Sequence, residues 1–339
     1  MKTYRAGIVG CGRIASLFAE DKKRSGIVTH AQAYQSHPRT SLVAACDIDP
    51  KALSQFGKRW QVNHLYDSVD EMLRNERLEL LSVCVPDQFH GEVVEKAARA
   101  GVRGIVCEKP IADTLVRADR MLALCCQKRI PLLVNHTRRF ISLYHRVKRM
   151  ISSGELGRIQ AVSCYYTAGI LNTATHLFDF LRFFFGDVAW VWADPDRILR
   201  GNEKSFSGYL YFKKGFGASL AALDVRSYLI FEADIYGTKK RVRLIESGTE
   251  LEIWEAAPNK IFSGYSSLQK TSQEKGDMGE GVFNLIKNLV ECVEKRASPS
   301  CSGHDGLASL EIAAALSVSA RRDGVRVKLP LKKRAFKIT

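Results

Sequence analysis

The sequence predicts an α/β chain: a doubly wound parallel sheet in its first part, then an α+β part built on a large, mostly antiparallel sheet. Three observations predict it. Short apolar runs alternate with helix-length amphipathic stretches from residue 6 to residue 134, which is the pattern of parallel strands joined by crossover helices. From residue 188 to residue 254 several strand-like runs follow one another with only turns between them. The 339 residues also exceed one simple core, since a domain takes roughly 100–200. Two domains are therefore expected, residues 1–138 and 139–339, with a C-terminal helix of the second able to pack back on the first.

Residues 6–10, 42–46, 80–85 and 104–107 read as strands, and 132–134 as a fifth. They are continuous apolar runs rather than alternating ones, as strands covered on both faces are. Beyond Arg139 a basic helical stretch reaches the turn cluster Ser152-Ser153-Gly154-Glu155-Leu156-Gly157, which should release into a strand over 159–166. Runs at 206–212, 217–223, 229–236 and 251–254 are spaced by Gly, Lys-Lys or Ser-Gly turns, the pattern of an antiparallel sheet. Helical patterns return at 282–295 and at 305–321, the latter opened by Asp305 as a cap. The polar stretch 263–281 is expected to be a mobile loop near a ligand.

Composition narrows the class. Apolar residues make up 46% and charged residues 26%, the balance of an ordinary globular protein. No stretch approaches the ~18 apolar residues of a membrane span, and Met1-Lys2-Thr3-Tyr4-Arg5 runs straight into a strand, so a cytoplasmic protein with no membrane partner is expected. Nine cysteines include no C-x-x-C pair, which argues for small buried hydrophobes in a reducing compartment and against a metal site. The net charge of +15 is spread along the chain except for a basic tail over 325–339. Without aromatic interleaving it does not point to nucleic acid, and it tilts the ligand toward anionic groups.

Chemistry concentrates at strand ends. Gly10-Cys11-Gly12-Arg13-Ile14-Ala15 follows the first strand and is expected to open a helix, matching the G-x-G-x-x-G/A dinucleotide fingerprint of the Rossmann fold. Gly10 permits a tight turn, Gly12 lets the backbone approach a pyrophosphate, and the amides of Arg13 and Ile14 would face it at a helix N-terminus. The second strand ends at Asp47-Ile48, where a carboxylate can accept both adenosine ribose hydroxyls and would repel a 2′-phosphate, so NAD is expected over NADP. Asp47 lies farther from Gly10 than the usual ~20 residues, which an insertion around residues 20–30 explains.

Further motifs follow in order: Val83-Cys84-Val85-Pro86 with His90, then Glu108-Lys109-Pro110, Asn135-His136-Thr137-Arg138-Arg139-Phe140, and Gly154-Glu155-Leu156-Gly157. Together they resemble the serial motifs of the Gfo/Idh/MocA family. The resemblance runs from residue 4 to about 186, and more loosely to the C-terminus. It implies a hydride transfer between NAD(H) and a carbinol or carbonyl carbon of a sugar, polyol or nucleotide-sugar. Pro86, His90 and Glu108 would lie beside the cofactor, and Lys109 between nicotinamide and substrate, with a cis bond before Pro110. A strand C-terminus facing the ligand crevice supports the same role for Lys109.

Residues 169–179 resemble the family's second-domain motif, in which an Asp stands four residues before a catalytic His. His176 matches, and Asn172 stands where the Asp is expected. A neutral amide cannot balance an imidazolium, which shifts proton handling toward Lys109 or a shared relay, and Asn172 serves equally as a cap for the following helix. Asp179, one turn on, could orient His176. Asn172, Asp179, Arg138 and Arg139 are the candidate substrate contacts, although two adjacent arginines at a strand end are as often one ligand contact and one surface ion pair. By resemblance the chain forms a homodimer or homotetramer through its sheet. Two rivals stay open: an NAD-dependent glycosidase working by transient oxidation and elimination, and a non-catalytic sensor of nucleotide and sugar.

Overall fold

The computed structural model describes residues 2–199 and 204–335. Residues 336–339, the end of the basic tail, lie outside the described residues. The chain folds as two compact units: Met1–Phe140 with Met278–Ala308, and Ile141–Asp277 with Ser309–Thr339.

In the first unit, β1 (Tyr4–Val9), α1 (His30–Ser36), β2 (Thr40–Cys46), α2 (Pro50–Trp60), β3 (His64–Tyr66), α3 (Val69–Asn75), β4 (Leu80–Val83), α4 (His90–Arg99), β5 (Gly104–Cys107), α5 (Leu115–Gln127) and β6 (Leu132–Val134) follow in turn. The six strands are parallel, in the order β3-β2-β1-β4-β5-β6. The winding reverses at β1, so the carboxyl ends of β1 and β4 flank the crevice where such sheets take their ligands. β4, β5 and β6 are buried throughout, which is why they read as continuous apolar runs. The edge strand β3 has no buried residue and only three members, too little pattern to stand out in the sequence.

One expectation fails at the fingerprint. No regular helix opens at Gly12: the amides of Ser16 and Leu17 both reach the Gly12 carbonyl, and that of Phe18 reaches Arg13. The turn then tightens into a 3-10 segment at Leu17–Glu20, and α1 begins only at His30, capped by Thr29 and Gln32. The inserted residues have cut the usual helix into a turn and a later helix. Ser16 is the hinge of that cut, since its hydroxyl accepts from the Trp60 indole and from Arg59.

The second unit contains α6 (Ser142–Ser152), β7 (Ile159–Tyr166), α7 (Thr175–Phe185), β8 (Val188–Leu199), β9 (Ser205–Phe212), β10 (Gly217–Ala222), β11 (Phe231–Gly237), β12 (Lys240–Ile245), β13 (Glu250–Pro258) and β14 (Ser266–Lys275). Then come α8 (Glu280–Val293) in the first unit, α9 (Gly303–Ala320), within which the division falls, and β15 (Val327–Lys328). The nine-stranded sheet runs β14-β13-β12-β11-β7-β10-β9-β8-β15, antiparallel except where β7 meets β10. Its inner face meets an aromatic core in which Phe180, Phe184, Phe185, Phe212, Tyr144 and Tyr166 are fully buried. Phe180 and Phe184 of α7 lie 5.3 Å apart, and burying each such ring contributes about 1.5–3 kcal/mol.

The expected mobile loop over 263–281 is corrected here. Residues 266–275 are β14, paired with β13 from Pro258↔Ser266 to Glu250↔Lys275. No side chain of β14 is buried, so its polar composition is that of an edge strand. β12 was not singled out either. Its Arg241 and Arg243 point outward to Asp234 and Glu252, and these charges mask a strand whose Val242 and Leu244 are buried.

In the first unit α8 lies over β5, where a Cβ on Gly104 would come within 2.6 Å of Val293 and 3.0 Å of Leu289. Glycine at that position lets the helix approach the strand.

Candidate active site

The first strand delivers the fingerprint loop to the switch point. Gly10 has φ +91°, and a Cβ there would fall 2.6–2.7 Å from the backbone of Cys84 and Val85, so only glycine fits. A Cβ on Gly12 meets nothing within 4 Å. That open approach to a turn of free backbone amides is the cradle a pyrophosphate requires.

Asp47 lies just past the end of β2. One carboxylate oxygen accepts the Cys11 amide at 2.6 Å and the other the Asp49 amide at 2.9 Å, so the acidic group is locked against the fingerprint loop. Ile48 beside it is 85% exposed, an apolar side chain the core does not explain and a surface on which a nucleobase can rest. Burial, reinforced by Asp47, pushes the Cys11 thiol up and keeps it uncharged. None of the nine cysteines is in a disulfide.

The loops after β4 and β5 are tied together by His90. Its ring nitrogens lie 2.8 Å from the Val85 carbonyl and 2.9 Å from the Pro110 carbonyl, and the residue is buried. His90 therefore fastens two loops, and its ring nitrogens are engaged by main chain rather than turned to a ligand. Pro86 opens the short 3-10 turn at Asp87–Phe89.

Lys109 follows β5 at the crevice end of the sheet, half-buried, and the Lys109-Pro110 bond is cis. Glu108 is turned inward rather than toward the cofactor position expected of it. One of its oxygens accepts from Asn135 at 2.6 Å and lies 2.8 Å from His30 Nε2; the other accepts the Lys109 amide at 3.3 Å. Burial raises its pKa, but His30, Asn135 and Lys109 together outweigh that and hold the carboxyl below the usual carboxylate range.

Of the paired arginines, Arg139 is corrected. It is buried, with its guanidinium on the Ser300 carbonyl and on Asp305, both at about 3 Å, so it pins the returning segment of its own unit rather than facing a substrate. Arg138 is half-buried in the same 3-10 turn, Thr137–Phe140.

In the second unit, the chain leaves β7 through Ala168 and Gly169, both at positive φ, and enters a π-helical turn at Gly169–Ala174 that runs into α7. Ser205 and the Lys204 carbonyl, at the start of β9, anchor this turn through the amides of Gly169 and Ile170. Asn172 is exposed on it. The cap position of α7 is Ala174, two residues beyond Asn172. His176 is half-buried in the first turn of α7. Asp179, one turn further, is fully buried and so is no substrate contact. Single π turns inside helices recur at functional sites, since the wider turn re-aims the residues on it.

Sequence reasoning missed His30, Ser82 and Tyr34, all fully buried behind Glu108. A serine inside the apolar run of β4 was the one signal for them. Among the described residues no cluster of three or more His, Cys, Asp or Glu side chains could hold a metal, and no helix is long and apolar enough to cross a membrane.

A doubly wound sheet with a glycine cradle at its switch point and an acidic group at the end of the second strand defines a dinucleotide-binding domain. Comparison with known families agrees. Residues 4–136 match the NAD-binding Rossmann fold of the Gfo/Idh/MocA oxidoreductases, and residues 167–329 match their C-terminal alpha/beta domain. The chain belongs to the Gfo/Idh/MocA oxidoreductase family, and its cofactor is NAD.

Among curated relatives it is 26% identical to a D-apiose dehydrogenase of Paraburkholderia graminis, covering 97% of this chain and 90% of that one. It is also 26% identical to an inositol 2-dehydrogenase of Rhizobium meliloti, covering 94% and 98%. The WlbA dehydrogenase of Bordetella pertussis, solved with NADH and UDP-GlcNAcA, superposes with a TM-score of 0.77 at 25% identity, covering 98% of this chain and all of that one.

Proposed function

We propose that this oxidoreductase moves a hydride between NAD(H) and one carbinol carbon of a sugar, polyol or nucleotide-sugar. The observation that carries the reading is Lys109, which follows β5 at the ligand end of the sheet that carries the cradle. The relatives named as apiose and inositol dehydrogenases support the substrate class.

Bound NAD supplies the hydride acceptor. The residues do the rest: Gly10, Gly12, Arg13 and Ile14 hold the pyrophosphate through backbone, and Asp47 and Ile48 hold the adenosine half. Lys109 Nζ donates a hydrogen bond to the reacting oxygen, which favours loss of its proton, and the His176 imidazole takes that proton as the carbonyl forms. Asn172, exposed on the π turn, and Arg138 are assigned to the substrate's hydroxyl or anionic groups. A neutral Asn172 leaves the larger share of charge stabilisation to Lys109.

We place the protein in the cytoplasm, which nine cysteines without a disulfide favour. The outward face of the second unit's sheet, with Tyr165 and Trp192 exposed, is assigned to packing between copies in a homodimer or homotetramer.

The test titrates the purified protein with NADH and NADPH, then follows reduced-nicotinamide absorbance with a panel of sugars, inositols and nucleotide-sugars. Tighter binding of NADH, and a turnover that falls at least about a hundredfold in Lys109→Ala, are expected. Binding without any net redox signal would refute the reading.

A further inference from the structure

Five polar side chains form one buried chain behind Lys109. Tyr34 on α1 lies 2.9 Å from Ser82 Oγ on β4; Ser82 lies 2.9 Å from His30 Nδ1; His30 Nε2 lies 2.8 Å from Glu108; and Asn135, after β6, donates to the same Glu108 oxygen. Tyr34, Ser82 and His30 have no exposed surface, and Asn135 has 1%.

A carboxylate only accepts, so His30 Nε2 carries a proton toward Glu108. In the neutral ring Nδ1 then accepts from the Ser82 hydroxyl, which accepts in turn from Tyr34; a protonated ring donates to Ser82 as well, and the contacts are the same. Burial pushes the Tyr34 phenol up, so it stays protonated at the end of the chain. Every member is satisfied, and each bond polarises the next toward the carboxylate.

The far oxygen of that carboxylate accepts the amide of Lys109. Anchoring Glu108 therefore fixes the main chain that carries Lys109 and sets one negative charge beside its ammonium. Packing needs alone would have placed apolar groups here, because a buried polar chain only breaks even when complete.

We propose that His30 is a positioning residue for hydride transfer: through Glu108 it holds Lys109 in its reactive setting, without touching cofactor or substrate. The inference rests on the dehydrogenase reading above. His30, twenty residues beyond the fingerprint glycine Gly10, lies past the inserted turn and reaches Glu108 only through the fold of the sheet.

Glutamine can place its amide nitrogen, a donor, near the position of Nε2, and asparagine can place its amide oxygen, an acceptor, near that of Nδ1. His30→Asn should keep the Ser82 bond and lose the Glu108 bond, lowering kcat about tenfold or more while the Kd for NADH stays within about threefold. His30→Gln should restore kcat to within about threefold of wild type.

Equal losses in Asn and Gln, or an unimpaired Asn variant, would overturn the inference, because side-chain volume would then be all that matters. Should the Asn variant not fold, Glu108→Gln carries the test. It keeps the volume, is expected to lose kcat by a similar factor at unchanged NADH affinity, and an unchanged kcat overturns the proposal. A wild type with no turnover on any substrate class refutes the dehydrogenase reading and this inference with it. Wild-type turnover with a fully active Asn variant refutes the inference alone.

Discussion

Alanine at Gly10 and alanine at Gly12 should fail in different ways, and the difference can be worked from the structure. At Gly10 the backbone has φ +91°, where an L residue costs about 1–2 kcal/mol, and the new methyl would lie 2.6 Å from the Cys84 carbonyl carbon, about 1 Å inside ordinary contact. The obstacle is backbone from the neighbouring strand end, which cannot rotate away as a side chain can. Relief requires the loop to lift, which strains the 2.8 Å bond from the Gly10 amide to the Cys46 carbonyl. A total cost of about 3 kcal/mol follows, a fall in Tm of about 6–12 °C for a unit of this size, with NADH affinity down by about a hundredfold.

At Gly12 the methyl meets nothing. Gly12→Ala should therefore melt within about 2 °C of wild type, yet bind NADH at least about tenfold more weakly, because the methyl occupies the approach a pyrophosphate needs. Scanning calorimetry without ligand and fluorescence titration with NADH separate the two effects. A Gly12→Ala protein as unstable as Gly10→Ala, or one that binds NADH as wild type does, would refute this account of the cradle.

Asp47→Ala removes the acceptor that holds the Cys11 amide and the group that repels a 2′-phosphate. It should weaken NADH binding about tenfold and narrow the preference over NADPH, read by parallel titrations. Arg139→Met leaves Asp305, whose side chain is 23% exposed, without its guanidinium and with the Ser302 amide and hydroxyl still on its other oxygen. The 3–5 kcal/mol typical of a broken buried pair is therefore discounted to about 2–3 kcal/mol, visible as a lower Tm with the KM for substrate unchanged. Glu108, held below its ordinary value in the folded protein, adds stability that is present above about pH 4.3 and lost as pH falls through the folded pKa. Melting curves from pH 7 to pH 3 should show a shallower acid decline in Glu108→Gln than in wild type.

Local pattern carried much of this protein. Strand ends at Cys46 and Cys107 follow from apolar runs, the end of β1 at Val9 to within one residue, and the glycines after β1 follow from spacing alone, because a tight turn and a close backbone approach restrict residue type wherever they occur. The alternation of strand and helix, and then its loss, marked the change of architecture near residue 140.

What the sequence could not contain is who meets whom across the fold. His30 joins Ser82 and Glu108, 52 and 78 residues away, and no periodicity links such positions. Arg139 read as a ligand contact until Asp305, 166 residues on, was found against it. β14 passed for a loop because an edge strand exposed on both faces keeps polar side chains, and only pairing with β13 makes it a strand. The helix expected after the fingerprint is a turn, and Arg59 and Trp60 hold its Ser16 from α2. Residue type and spacing determined which chemistry the chain can perform; long-range hydrogen bonds, whose partners are chosen by topology, decided which of its polar side chains are held inside the fold and which are left to work.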